Sequence, residues 1–214
     1  MATEAPINGG RNYDGPKVNL KLALVKLGYM LETLRISHYS PTGSDNVMSA
    51  DNQQERLRTI GWIVGFVDGE GCFSVSVQRC RVLKLGWQVF PEFVVTQGAK
   101  SISALQILQD FFGCGRIYIN NRHDNHKEAI YRFCVRAADD LREKIIPFFV
   151  ANPLRTAKRD SFVAFAEILA MMKVRKHLSL EGLREIAVLS ESINRQKKSK
   201  FLDSSETIRR APLG

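Results

Sequence analysis

The run Gly61–Phe73, Gly-Trp-Ile-Val-Gly-Phe-Val-Asp-Gly-Glu-Gly-Cys-Phe, constrains the fold more than any other part of the chain. An apolar stretch with glycines four apart, Gly61 and Gly65, ends in Asp68, Gly69, Glu70 and Gly71. It turns at once into the alternating Phe73, Ser74, Val75, Ser76, Val77. Helical spacing thus gives way to strand spacing with no loop between. On the helix Gly61 and Gly65 share one face a turn apart, where a second helix can approach backbone to backbone. The two acids fall at the helix's C-terminal end, where the macrodipole is negative and an uncompensated carboxylate is disfavoured. A positive group is expected beside them, and a divalent cation is the obvious candidate.

The 214 residues suffice for one sizeable core, and 44% hydrophobic content excludes a wholly disordered chain. No apolar run reaches the ~18–20 residues that span a bilayer, so no membrane partner is expected. Residues 1–50 hold five basic against four acidic side chains, which leaves nearly all of the net +9 downstream, with the motif. A basic domain attracts polyanions, nucleic acid foremost. The four cysteines, Cys72, Cys80, Cys114 and Cys134, lack CxxC spacing, so neither a zinc site nor a redox motif is indicated. Free cysteines suit a reducing intracellular compartment, bacterial cytoplasm or organelle. The charged and apolar regions of a secretory signal are absent from the N-terminus.

Three segments are expected. Residues 1–52 form an extension, with helical apolar spacing from Lys17 to about Ser37 and a linker around Pro41–Ser44. Residues 53–194 form the domain proper, in the order α-β-β-α-β-β-α-α. Its motif helix runs from about Gln54 to Val67, followed by strands Cys72–Arg81 and Trp87–Gln97 and a helix over 101–112 with Ser101 as N-cap. Gly113-Cys114-Gly115 breaks that helix. Strands Arg116–Arg122 and Ile130–Arg136 come next, then a helix from Asp139 to Phe149. Another helix is capped by Asn152-Pro153, and the last spans Leu180–Ile193. Residues 195–214 form a basic tail.

Ile63–Gly71 resembles the LAGLIDADG motif of the homing endonucleases position by position, with Gly65 as its third residue, Asp68 as its first acid and Glu70 as its second. The element order resembles the single-motif form of that family across roughly residues 55–210. Val94-Val95-Thr96-Gln97, Gly113-Cys114-Gly115 and Pro147-Phe148-Phe149 are smaller landmarks, and Ser204–Arg209 looks like the tail of the chloroplast-intron members.

The resemblance implies an α+β fold, αββαββα(α), with a four-stranded antiparallel DNA-binding saddle. It implies a homodimer that cuts a long pseudo-palindromic double-stranded DNA site by Mg²⁺-dependent phosphodiester hydrolysis, leaving short 3′ overhangs. Gly61, Gly65 and Asp68 would lie at the dimer interface, and Glu70, with the carbonyl of Gly69, would hold Mg²⁺. Gln97 corresponds to the family's water-ordering residue, and Lys158 is chosen for its basic residue, with Arg155 as runner-up. Strict correspondence would put Thr156 at that point.

Strand alternation assigns Phe73, Val75 and Val77 to the helix side. Ser74, Ser76 and Gln78 fall on the open side, with Gln88, Phe90 and Glu92, then Tyr118, Asn120 and Arg122, then Arg132, Cys134 and Arg136. Arg, Gln and Asn are the side chains that read base edges in the major groove. Lys100 would add charge beside the active site, and Lys197, Lys198 and Lys200 would hold phosphates. Two alternatives stay open: a maturase that binds intron RNA, and a catalytically inert DNA-binding protein on the same fold.

Overall fold

The computed structural model describes residues 50–120, 129–194 and 199–204. The expected N-terminal helix, Arg122, Lys197, Lys198 and most of the basic tail lie outside the described residues. Helix α1 spans Ala50–Glu70, three residues longer at its end than expected, and passes directly into strand β1, Gly71–Arg79. Gly71 permits that junction: a Cβ there would stand 2.6 Å from Val67 Cγ1 and 2.7 Å from the Val67 carbonyl oxygen. A turn over residues 80–86 leads to β2, Trp87–Gly98. The 3₁₀ turn Ala99–Ser101 precedes helix α2, Ile102–Phe112. Ser101 holds the N-cap position without a side-chain cap bond.

Gly113 ends α2 in the left-handed region, and Gly115 (φ +79°) lets β3, Arg116–Asn120, pass close to Phe133. Strand β4, Ile130–Val135, is followed by helix α3 over 138–151. Its middle, Leu141–Ile145, widens to π spacing. Pro147 explains this, since its ring would clash with the carbonyl of Glu143 and it has no N–H to continue the ladder. Helices α4, Lys158–Lys173, and α5, Leu180–Ile193, complete the domain.

Asn152-Pro153 does not start α4. The Asn152 amide side chain and backbone N–H both donate to the Phe148 carbonyl, at 3.0 and 2.9 Å, and close α3 instead. Helix α4 begins five residues after Pro153, where the hydroxyl of Thr156 accepts from the Lys158 N–H and its carbonyl accepts from the Arg159 N–H.

The four strands form one antiparallel sheet in the order β1-β2-β4-β3. Its register pairs Phe73 with Phe93, Val75 with Pro91 and Val95 with Phe133, so their shared parity faces the helices. Phe73 stacks on Phe93 at 5.1 Å and meets Phe149, Phe162 and Phe165. These rings, all buried, join sheet to α3 and α4 in one core. Phe201 extends that core: it is fully buried and meets Trp87 edge-on at 5.1 Å. The segment after α5 is therefore no mere tail, because its first aromatic residue seals the end of β2.

Candidate functional site

The site is built at the C-terminal end of α1, where the last backbone carbonyls lose their helical partners. Val67 is fully buried and fixes the helix on the core, while Gly69 and Glu70 remain exposed. Lys158, at the start of α4, reaches across and donates from Nζ to the carbonyls of Val67 (2.9 Å) and Gly69 (3.0 Å). The positive group expected at the helix end is thus supplied in part by the chain itself. Burial holds this ammonium below the ordinary lysine range, against the opposing pull of Asp68, Cys72 and Glu70.

Asp68 faces the other way, toward the segment entering α4. Its carboxylate accepts from the Arg155 N–H at 2.8 Å and from the Thr156 N–H and hydroxyl at 3.2 and 2.7 Å. Burial pushes its carboxyl up, but these three donors and the Lys158 charge outweigh that and hold it below the usual carboxylate range. Within the chain Asp68 clamps the loop that carries Thr156, and Thr156 in turn fixes the first residue of α4. Arg155 contributes its backbone N–H, and Lys158 is the side chain whose ammonium meets the helix-end carbonyls.

This clamp predicts a pH signature. Because the folded carboxyl titrates lower than the unfolded one, its contribution is present above the ordinary carboxylate pKa and is lost as pH falls through the folded value. Asp68→Asn, which turns an acceptor oxygen into a donor facing N–H groups, should cost about 1–2 kcal/mol near neutral pH. The gap from wild type should narrow below about pH 4, as read by urea unfolding at several pH values. A gap independent of pH would show that the carboxylate charge is not what holds the loop.

Gly71 pairs with Val95, so two residues further on the register brings Gln97 level with the end of α1, on the helix-facing parity of β2. Lys100 is exposed in the 3₁₀ turn that follows. Glu70, Gln97, Lys158 and the Gly69 carbonyl therefore belong to one end of the sheet. Among the described residues no group of three His, Cys, Asp or Glu side chains gathers.

The open face of the sheet carries the expected set. Ser74, Ser76 and Gln78 pair with Glu92, Phe90 and Gln88, and Tyr118 pairs with Arg132. Gln78 donates to the Ser76 hydroxyl at 2.8 Å, and Asn120 lies at the end of β3. Cys134 shares this face yet is only 3% exposed, because ionic side chains from its neighbours cover it. Arg132 and Arg136 both bind Glu92, at 3.3 and 2.6 Å.

Gly61 and Gly65 lie exposed on α1, and no described atom comes within 4 Å of a Cβ built on either. Leu57, one turn earlier, is 68% exposed. The protomer therefore has no steric need for these glycines among its described residues.

Among the contacts that escaped sequence reasoning are two that tie distant segments together. The Asp68–Thr156 clamp joins residues 88 apart. The Asn194 side chain donates to the Val75 carbonyl at 2.5 Å, tying the end of α5 to edge strand β1.

Residues 63–169 match the family model described as LAGLIDADG endonuclease. The chain is 31% identical over 156 residues to the homing endonuclease I-ApeII of Aeropyrum pernix, covering 69% of this chain and 86% of that protein. It is 29% identical over 173 residues to probable intron-encoded endonuclease 3 of Neurospora crassa, covering 79% of this chain but 31% of that protein, so the chain spans about a third of that relative. Among solved structures, the homing endonuclease I-TnaI is similar at 40% identity and a TM-score of 0.62, over 70% of this chain and 97% of that one.

Proposed function

The chain belongs to the LAGLIDADG endonuclease family, and from that premise we propose that it is a site-specific double-strand DNA endonuclease of the homing type, acting as a homodimer. The observation that carries this reading is the end of α1: an exposed carboxylate, Glu70, stands beside the lysine-capped helix terminus and next to a polar, arginine-bearing sheet face. An unpaired acid beside phosphates weakens DNA binding, whereas a metal-dependent phosphodiester hydrolase uses such a carboxylate to hold its cation.

The oxygens available are the Glu70 carboxylate, the Gly69 carbonyl and the Gln97 amide, the hard donors that suit Mg²⁺. When bound there, such an ion would lower the pKa of water and offset charge on the reacting phosphate. Glu70 is the residue to hold it. Gly69 is the weaker donor, since its carbonyl already accepts from Lys158. Lys158 keeps a positive charge within reach of the same end of the helix and adds to charge neutralisation there. Gln97 orients water from the sheet side. Two copies meeting at Gly61 and Gly65 would set two such ends side by side, one for each DNA strand.

The open sheet face supplies sequence reading in the major groove, with Ser74, Ser76, Gln78, Gln88, Tyr118, Asn120, Arg132 and Arg136 as its base-facing set. Lys100, and the lysines of the basic segment, hold phosphates.

The test starts from a randomised duplex library, from which the chain should select a long pseudo-palindromic site. A plasmid carrying that site should be linearised with Mg²⁺ and stay intact with EDTA. Selective retention of structured intron RNA without cleavage of any duplex would overturn the endonuclease reading in favour of a maturase.

A further inference from the structure

Resting on the endonuclease reading, we infer that Glu92 is a positioning residue for specificity: it reads no base itself, and its carboxylate presets two arginines for base recognition. Glu92 lies near the centre of the sheet face, across from Ser74 on β1. Its two oxygens are divided between two guanidinium groups. Oε2 accepts from Arg132 Nη2 at 3.3 Å, while Oε1 accepts from Arg136 Nε at 2.6 Å and forms an ion pair with its Nη2 at 2.6 Å.

The Arg136 guanidinium also lies 5.8 Å over the Tyr118 ring, and Tyr118 is the cross-strand partner of Arg132. Side chains from β2, β3 and β4, with Arg136 just past the end of β4, thus close one cluster, and beneath it Cys134 is buried. The Glu92 contact holds Arg136 firmly protonated, against the opposing effect of burial.

A carboxylate on a surface meant for a polyanion is repelled by phosphate. Here that cost has a return in order. Each long arginine side chain otherwise loses rotamer freedom when it grips guanine, and a side chain already held loses less on binding. The cluster keeps a net positive charge, so attraction to DNA survives. Both oxygens are engaged by guanidinium groups, so a cytosine amine would have to compete with the arginines for them.

The experiment is site selection from a randomised duplex library by the full chain, for wild type and for Glu92→Ala, Glu92→Gln, Arg132→Ala and Arg136→Ala, with thermal melts of each. Glu92→Ala should relax preference by about tenfold at the same positions that the two arginine variants relax, while binding to unrelated DNA rises. Glu92→Gln, of the same shape, should act in the same direction with an unchanged melt, which separates positioning from folding. Relaxation at a different base pair, or an unchanged profile, would overturn the proposal and leave the endonuclease reading standing. Failure of the wild type to select any duplex would overturn the endonuclease reading itself, and this proposal with it.

Discussion

Glu70→Gln should lose DNA cleavage by on the order of 10³-fold or more while its affinity for the selected duplex stays within about tenfold of wild type. The substitution keeps the shape of the side chain and removes its charge. Glu70 is exposed at the helix end, so no folding penalty follows from the change. Removal of a negative charge near phosphates cannot weaken electrostatic attraction to DNA, and binding should hold or tighten slightly. Activity in Mg²⁺ and binding in Ca²⁺ or EDTA report the two quantities separately. Cleavage near the wild-type rate would remove Glu70 from the chemistry. Loss of binding together with cleavage would make it a folding or docking residue instead.

Gly65→Leu should convert a dimer to a monomer without harming the protomer. A Cβ at Gly65 meets no described atom within 4 Å, and leucine is favoured over glycine in a helix interior by roughly 1 kcal/mol, so the monomer's melting temperature should hold or rise. At a two-fold axis each protomer brings the same substitution, and the branched side chain is met by its own copy. Sedimentation should therefore show monomers, and double-strand cleavage should fall with the dimer. Gly65→Ala should lie between. A leucine variant that remains dimeric and active would place the interface on another surface.

Much of this was legible in the chain. Alternation along 73–77 and 88–92 set which faces of β1 and β2 are buried, because a strand's side chains have no choice but to alternate. The glycines and acids of α1 fixed the helix-to-strand junction, and Gly113 and Gly115 the turn after α2. Contacts between distant segments were not legible. Nothing near Asp68 announces Thr156, and nothing near Glu92 announces Arg136, 44 residues away; such pairs depend on the path of the whole chain. Asn152-Pro153 misled for a local reason, since Asn caps either end of a helix and only the geometry of Phe148 decides. Phe201 was hidden by the lysines before it, as a lone aromatic residue carries no periodicity.

The measurement closest to the central claim is cleavage of a supercoiled plasmid bearing the selected site by wild-type protomers mixed with excess Glu70→Gln protomers. If each protomer brings one Glu70 and cuts one strand, the mixed dimers should give nicked circles in place of linear product, in proportion to the mixing ratio. Linear DNA alone, falling only as wild type is diluted, would contradict the division of one active site to each strand.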